Sequence, residues 1–150
     1  MSKITKLTII IPCYNEERTI HLILDKVNQV QLTGGIEKEV ILINDFSTDR
    51  TQAALENYIN AHPDLNYRLI NHEVNKGKGA ALHTGIAHAT GDYVIVQDAD
   101  LEYDPKEYNI LLQPVIDGFA DVVYGSRFIG GRPHRILFFW HTIEIGRAHV

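Results

Sequence analysis

The sequence is poor in several features that mark particular classes of protein. It has one cysteine, Cys13, among 150 residues, which excludes a disulfide within the chain and fits a reducing compartment. Lys and Arg number 14 against 19 Asp and Glu, a formal charge of −5 that argues against nucleic-acid binding, because phosphate contacts need a basic face. The apolar runs are too short to span a bilayer, and the N-terminus does not read as a signal peptide. We therefore expect a cytoplasmic protein with no nucleic-acid partner.

Strand-like and helix-like segments alternate along the chain. Short β-branched runs predict strands, and segments with apolar residues at helical spacing predict helices between them. The predicted strands are 7–11, 39–43, 67–70, 92–97 and 121–124. One predicted helix starts at Arg18, and a second follows an N-cap at Ser47 or Thr48. Two more start at Lys78 (78–89) and at Pro105 (105–116). This order predicts one α/β domain, a mostly parallel sheet with helices on both faces.

Polar clusters follow four of the predicted strands. They are residues 14–17, 44–49, 98–100 and 125–127. Ligands of such sheets bind beyond the carboxyl ends of the strands, so we expect the clusters to converge on one edge.

The most informative cluster is Asp98-Ala99-Asp100, which directly follows a buried strand. Mg²⁺ and Mn²⁺ prefer oxygen ligands and often share them with a substrate's phosphates, so the two carboxylates could hold a metal that bridges a diphosphate. The alternative is two solvated acids in a turn.

Segment 94–105, Val-Ile-Val-Gln-Asp-Ala-Asp-Leu-Glu-Tyr-Asp-Pro, resembles the metal-binding stretch of family 2 glycosyltransferases. It is most similar to their polyprenyl-phosphate (dolichol-phosphate) hexosyltransferase branch. Further segments agree in order, and the resemblance covers about residues 5–142. These segments are 9–17, 43–49, 75–80, 91–92 and 125–128.

The resemblance implies a GT-A fold, a nucleotide-sugar donor, a divalent Mg²⁺ or Mn²⁺, and inversion at the anomeric carbon. It implies that Asp45 hydrogen-bonds the base. The nucleotide-binding residues that it implies are Pro12, Tyr14, Glu16, Asp45, Lys78 and Asp98. This sequence departs from the family at Asn44, where a second acidic residue is usual, and at Phe46, where Gly is common.

The same resemblance implies metal ligation by Asp98 and Asp100, with Glu102 as a further ligand. The implied catalytic residues are these two aspartates and Arg127, whose guanidinium would meet the acceptor's phosphate as a bidentate donor.

Three other features have open interpretations. Residues 75–79 predict either a phosphate cradle or a tight turn into a helix. Arg132 and Arg135, ahead of the apolar run 136–140, suit an anionic membrane interface or a helix packed on a part of the protein outside this sequence. His83 and His88 are expected on the surface, and Cys13 as a small packing residue.

Residues 1–143 are expected to form an incomplete glycosyltransferase domain. Residues 144–150 match the translation of a sequencing-adapter oligonucleotide, so we expect a non-native tail there.

The sequence thus predicts an inverting transferase that moves a hexose from GDP-mannose or UDP-glucose to a polyprenyl or dolichyl phosphate at the cytoplasmic membrane face. The alternatives are a family 2 glycosyltransferase with a sugar-hydroxyl acceptor and an inert nucleotide-binding fragment. The sequence predicts no oligomeric state.

Overall fold

A computed structural model describes residues 4–124 and 136–139; Tyr124 and residues 136–139 are described by their backbone. Its centre is a six-stranded sheet in the order β3-β2-β1-β4-β6-β5. The strands are β1 Lys6–Cys13, β2 Glu37–Asn44, β3 Tyr67–Asn71, β4 Tyr93–Val96, β5 Val123–Tyr124 and β6 Ile136–Phe139. Strands β1 to β4 run parallel, while β6 pairs antiparallel with both β4 and β5. The predicted α/β class with a mostly parallel sheet is confirmed.

Helices cover both faces of this sheet. They are α1 Ile20–Gln29, α2 Thr51–Ala61, α3 Lys78–His88 and α4 Tyr108–Ile116. Alternate residues of β1 point to opposite faces: Ile9 and Ile11 join the larger core cluster, which includes residues of α1, α2 and α4, whereas Ile10 joins a smaller cluster with Ala81 of α3. Strand β1 is therefore buried from both sides, in agreement with the buried strand predicted over 7–11.

Helix α3 lies very close to the sheet because of Gly85. A Cβ placed on Gly85 would come within 2.4 Å of Cγ2 of Ile10, so a larger side chain would push the helix away. This contact sets the short distance between α3 and β1.

The predicted N-cap at Ser47 or Thr48 is wrong, because α2 begins only at Thr51. The backbone N–H groups of Thr48 and Asp49 donate to the Asn15 side chain instead, so the loop continues past the predicted start. The Asp49 carboxylate then accepts from the Thr51 backbone N–H at 2.9 Å.

The alternative helix over the apolar run 136–140 is also wrong, because Ile136–Phe139 is a strand. Arg132, Arg135 and Trp140 lie outside the described residues, so the membrane-interface interpretation stays a prediction. In the described ranges, no helix has the length and apolar character needed to cross a membrane.

Candidate functional site

A cavity of about 180 Å³ opens at the carboxyl ends of β1, β2 and β4. All six residues predicted to bind the nucleotide lie on its wall. Its lining consists of Pro12, Cys13, Tyr14, Glu16, Asp45, Lys78, Ala81, Asp98, Ala99 and Asp100. The predicted convergence of polar clusters on one sheet edge therefore holds for the three clusters within the described residues, and α3 adds Lys78 and Ala81.

Each of the three strand-end loops contains a non-glycine residue with left-handed backbone. These residues are Asn15 with φ 55°, Phe46 with φ 58° and Leu101 with φ 63°. Such φ values are uncommon outside glycine, and Asn tolerates them better than Phe or Leu. Phe46 stands where the resembled family commonly has Gly, so here a half-exposed aromatic adopts a backbone that suits glycine.

The loops after β1 and β2 are tied together by hydrogen bonds. The Asn15 Oδ1 accepts from the Thr48 backbone N–H at 2.8 Å, and the Thr51 hydroxyl accepts from the Glu16 backbone N–H at 2.7 Å. The Asp49 Oδ2 accepts from the Glu17 backbone N–H at 3.2 Å. Burial raises the pKa of Asp49, but the bonds from Thr51 and Glu17 outweigh it and hold the pKa below its usual range. These ties set the wall of the cavity that carries Tyr14 and Glu16.

Asp45 is buried at the end of β2, with 3% of its surface exposed. Its Oδ1 accepts from His72 Nδ1 at 2.7 Å and from the Lys76 backbone N–H at 2.9 Å, and its Oδ2 accepts from the Gly77 backbone N–H at 2.7 Å. Burial alone would raise the pKa of Asp45, yet these three bonds lower it below its ordinary value. Asp45 is therefore ionised at neutral pH and anchors the turn that leads into α3.

Residues 75–77 turn the chain into α3, which begins at Lys78, so the structure favours the predicted turn into a helix. Gly77 has φ 85°, a conformation that L side chains rarely adopt. The backbone N–H groups of Lys76 and Gly77 point at Asp45, so neither is directed to a phosphate in this structure.

His72 is a buried residue that the sequence did not single out. Its Nδ1 faces the ionised Asp45 and must therefore carry the proton, while Nε2 lies 2.9 Å from the Thr84 hydroxyl of α3. The ring thus connects the end of β2 to α3. Its place directly after β3 was the available signal, because residues that follow parallel strands reach this edge.

Asn44 explains the departure from the usual acidic pair. Its Nδ2 donates to Asn71 Oδ1 at 2.9 Å, and its Oδ1 accepts from the Ser47 backbone N–H at 3.2 Å. A carboxylate at position 44 could accept from Ser47 but could not donate to Asn71. Asn44 is buried, and its two hydrogen bonds connect the loop after β2 to the end of β3.

Lys78 and Asp98 form an ion pair across the cavity, with Nζ 2.7 Å from Oδ1. The Lys78 side chain is 56% exposed and that of Asp98 20%, so solvent screens the pair and its contribution to stability is small. The ion pair places the positive charge of Lys78 directly beside the negative charge of Asp98 on the cavity wall.

Asp98 and Asp100 both line the cavity, and the buried Ala99 separates them. The Asp100 Oδ1 accepts from the Glu102 backbone N–H at 3.1 Å, which shapes the turn. Among the described residues, no group of three or more His, Cys, Asp or Glu side chains is placed to hold a metal ion. Asp98 and Asp100 therefore supply two carboxylates, which fit Mg²⁺ or Mn²⁺ when substrate phosphates supply further oxygens. Ligation by Glu102 stays a prediction.

Gln97 supports the turn that carries these aspartates. It is fully buried; its Nε2 donates to the Asp98 carbonyl at 2.8 Å, and its Oε1 accepts from the Tyr108 hydroxyl at 2.6 Å. Helix α4 thereby fixes the position of Asp98. The sequence pattern did not predict this role, although Gln97 adjoins the acidic cluster.

Four other residues were singled out by the sequence: Arg127, Cys13, His83 and His88. Arg127 lies outside the described residues, so its role stays a prediction. Cys13 is buried, and burial together with the Glu16 charge raises the pKa of its thiol well above the usual range, which keeps it protonated and confirms its packing role. His83 and His88 are exposed on α3, as expected.

The fold and the cavity together define an α/β domain with a candidate ligand site at the carboxyl edge of a parallel sheet. Residues 8–137 match the model of Glycosyl transferase family 2. The chain therefore belongs to glycosyltransferase family 2.

Two curated relatives and one solved structure illustrate the similarity. The chain is 29% identical to a dolichol-phosphate mannosyltransferase of Pyrococcus furiosus over 147 residues, 97% of this chain and 40% of the relative. It is 36% identical to a dolichyl-phosphate beta-glucosyltransferase of Trichomonas vaginalis over 110 residues, 70% of this chain and 33% of the relative. The mannosyltransferase PcManGT of Pyrobaculum calidifontis, solved with GDP-Man and Mn²⁺, superimposes with a TM-score of 0.73 at 29% identity, over 83% of this chain and 36% of that one. The GT-A fold is confirmed, and the chain spans well under half the length of these proteins.

Proposed function

We propose that this chain is the donor-binding part of an inverting hexosyltransferase that moves a hexose from a nucleotide diphosphate sugar to a polyprenyl or dolichyl phosphate. One observation carries the proposal. In a member of glycosyltransferase family 2, the six residues predicted to bind the nucleotide come from three strand-end loops and α3 to line one cavity.

The donor nucleotide binds in this cavity. Tyr14 is about half exposed on the wall and offers an aromatic surface for the base or ribose, while Asp45 offers an ionised acceptor for a base N–H. The diphosphate lies toward Lys78 and Asp98, where a cation can neutralise its charge. PcManGT holds GDP-Man and Mn²⁺, and this supports a nucleotide sugar and a divalent cation here.

Asp98 and Asp100 are the residues that would hold Mg²⁺ or Mn²⁺. When bound, the cation supplies charge stabilisation for the departing diphosphate. In the structure Lys78 pairs with Oδ1 of Asp98, so a cation that takes this oxygen displaces Lys78. Lys78 is then free to contact a phosphate oxygen of the donor.

The acceptor assignment is supported by the names of the two relatives, one a dolichol-phosphate and the other a dolichyl-phosphate transferase. A phosphate acceptor is already anionic near neutral pH and needs no strong general base. Arg127 would contact that phosphate as a bidentate donor. Such an acceptor would bring the enzyme to the surface of the membrane as a peripheral protein.

The test begins with binding, since the donor site is the part present. We expect UDP or GDP to bind more tightly in the presence of Mn²⁺, as measured by isothermal titration calorimetry. Asp100→Asn should weaken nucleotide binding when Mn²⁺ is present and change it little when Mn²⁺ is removed, because Asp100 acts through the cation. Asp64→Asn, an exposed acid outside the cavity lining, is the matched control. Equal affinity of Asp100→Asn and the parent at saturating Mn²⁺ would contradict the metal assignment.

The acceptor is tested by transfer from labelled GDP-mannose or UDP-glucose to a short-chain polyprenyl phosphate in detergent. The 150-residue chain is compared with a version extended to the length of its relatives. We expect transfer by the extended protein and little or none by the chain alone. Robust turnover by the chain alone would show that the acceptor site is misplaced.

A further inference from the structure

The acceptor capacity of Asp45 limits which base the cavity can recognise. This inference rests on the proposed function, because it names the nucleotide that the proposed donor site takes. A carboxylate has two oxygens and about four lone-pair sites for hydrogen bonds. The hydrogen bonds that the protein itself donates to Asp45 determine how many of those sites a base can use.

Within the described part of the chain, three of these sites on Asp45 are already used. Both sites of Oδ1 are taken, by His72 Nδ1 at 2.7 Å and by the Lys76 backbone N–H at 2.9 Å. The Oδ2 accepts one bond, from the Gly77 backbone N–H at 2.7 Å. One site remains, and it belongs to Oδ2 of a side chain that lines the cavity.

The used sites are not easily released. His72 is held at its other nitrogen by the Thr84 hydroxyl at 2.9 Å, and its side chain is 5% exposed, as is that of Asp45. The two backbone N–H groups belong to the turn that leads into α3. Freeing the site that His72 uses would leave a buried donor without its partner.

The two candidate sugar donors, a GDP sugar and a UDP sugar, differ in the number of N–H groups that the base presents. Guanine carries two adjacent donors, N1–H and the N2 amino group, which pair with a carboxylate by using one oxygen each. Uracil carries a single donor, N3–H, between two carbonyl oxygens. A site with one open acceptor therefore pairs the single N–H donor of uracil, whereas it leaves one guanine donor facing the filled Oδ1.

We infer that the donor nucleotide is a uridine diphosphate sugar rather than a guanosine diphosphate sugar, because His72 and the turn 76–77 leave Asp45 a single acceptor site. His72 is thus a positioning residue that restricts base recognition through Asp45. The Thr84 hydroxyl of α3 contacts the other ring nitrogen of His72 and holds the ring in this position.

The experiment compares UDP with GDP by calorimetry on the whole chain in saturating Mn²⁺. We expect UDP to bind at least about tenfold more tightly, the worth of one hydrogen bond to a charged group. Equal or tighter binding of GDP would overturn the inference and leave the proposed function standing. If neither nucleotide binds, the proposed donor site itself is wrong and the inference falls with it.

Methylated ligands test the hydrogen bond without altering the protein. In 3-methyl-UDP a methyl group replaces the N3–H, so we expect it to lose about tenfold in affinity relative to UDP. The matched control is 5-methyl-UDP, which keeps N3–H and should bind within about twofold of UDP. If 3-methyl-UDP binds as tightly as UDP, Asp45 does not read this donor and the inference is overturned.

Discussion

Glu39 and Asp45 are two buried carboxylates at opposite ends of β2. In both, hydrogen bonds compensate for the burial of a charge, but the donors come from different parts of the molecule. Glu39 accepts from the Thr8 hydroxyl at 2.6 Å and from the Thr90 backbone N–H at 2.9 Å and hydroxyl at 2.8 Å. Asp45 accepts from His72 and from two backbone N–H groups. In each case burial raises the pKa and the hydrogen bonds lower it by more, so the net pKa lies below the ordinary value.

The difference lies in what the donors belong to. Those of Glu39 come from strand β1 and from the turn before β4, so they join neighbouring parts of the sheet. Those of Asp45 come from the His72 side chain and from the turn that leads into α3, and Asp45 itself lines a cavity. A buried carboxylate whose hydrogen bonds are satisfied is therefore not by itself a sign of function; access to a cavity distinguishes Asp45 from Glu39.

The largest expected effect is on stability at the Glu39 end. Glu39→Leu leaves the buried Thr8 hydroxyl without its acceptor and removes two bonds from Thr90 to a charged group, so it should lower the free energy of unfolding by about 3 kcal/mol. Urea denaturation measures the change. The nucleotide affinity of the folded variant should match that of the parent; a specific loss of affinity would erase the distinction between the two carboxylates.

The next effect is on binding at the Asp45 end. Asp45→Ala removes the ionised acceptor of the base and frees the turn 76–77, so nucleotide affinity should fall roughly tenfold to a hundredfold. Calorimetry with UDP and GDP measures the loss. A change of less than about twofold would contradict base recognition by Asp45.

A smaller effect concerns acid. Because the folded-state pKa values of Glu39 and Asp45 lie below their ordinary values of 4.5 and 3.8, the unfolded chain binds more protons at low pH. Their contribution to stability is complete above those values and is lost as the pH falls through the folded pKa values. Glu39→Gln should therefore reduce the acid dependence of unfolding, measured by urea midpoints between about pH 6 and pH 3. An unchanged dependence would show that Glu39 contributes no proton linkage.

The smallest expected effect is at the edge of the cavity. Lys78→Met removes the cation that neutralises Asp98, so Mn²⁺ affinity without nucleotide should rise about threefold, as expected for a partly exposed pair. Electron paramagnetic resonance of free Mn²⁺ measures it. Lys76→Met is the matched control, since the Lys76 side chain is exposed and its backbone N–H, which binds Asp45, is retained. Equal Mn²⁺ affinity in the Lys78 and Lys76 variants would rule out competition by Lys78.

Much of the fold could be predicted because it depends on local patterns. The apolar β-branched runs that form β1, β2 and β4 are long enough to read directly, and the rule for parallel sheets places the residues that follow them at one edge. That rule predicts that Tyr14, Asp45 and Asp98 meet, and all three line the same cavity.

The predictions that failed concern contacts distant in sequence. The start of α2 was misplaced because Asn15, from another loop, takes the N–H groups of Thr48 and Asp49. His72 and Gln97 were missed because their roles exist only once α3 and α4 pack against the sheet and bring Thr84 and Tyr108 to them. Residue type alone carries none of this information.

The hydrogen bonds of Asn15 have a consequence for motion. Its left-handed backbone and its side chain together clamp the loop after β1 to the loop after β2, with Thr51 and Asp49 adding further ties. Two segments joined in this way cannot open separately, because opening one breaks bonds that belong to the other. Because Asp45 and His72 also tie the loop after β2 to α3, the cavity wall that carries Tyr14 keeps its shape as one unit, and neither loop can fray alone.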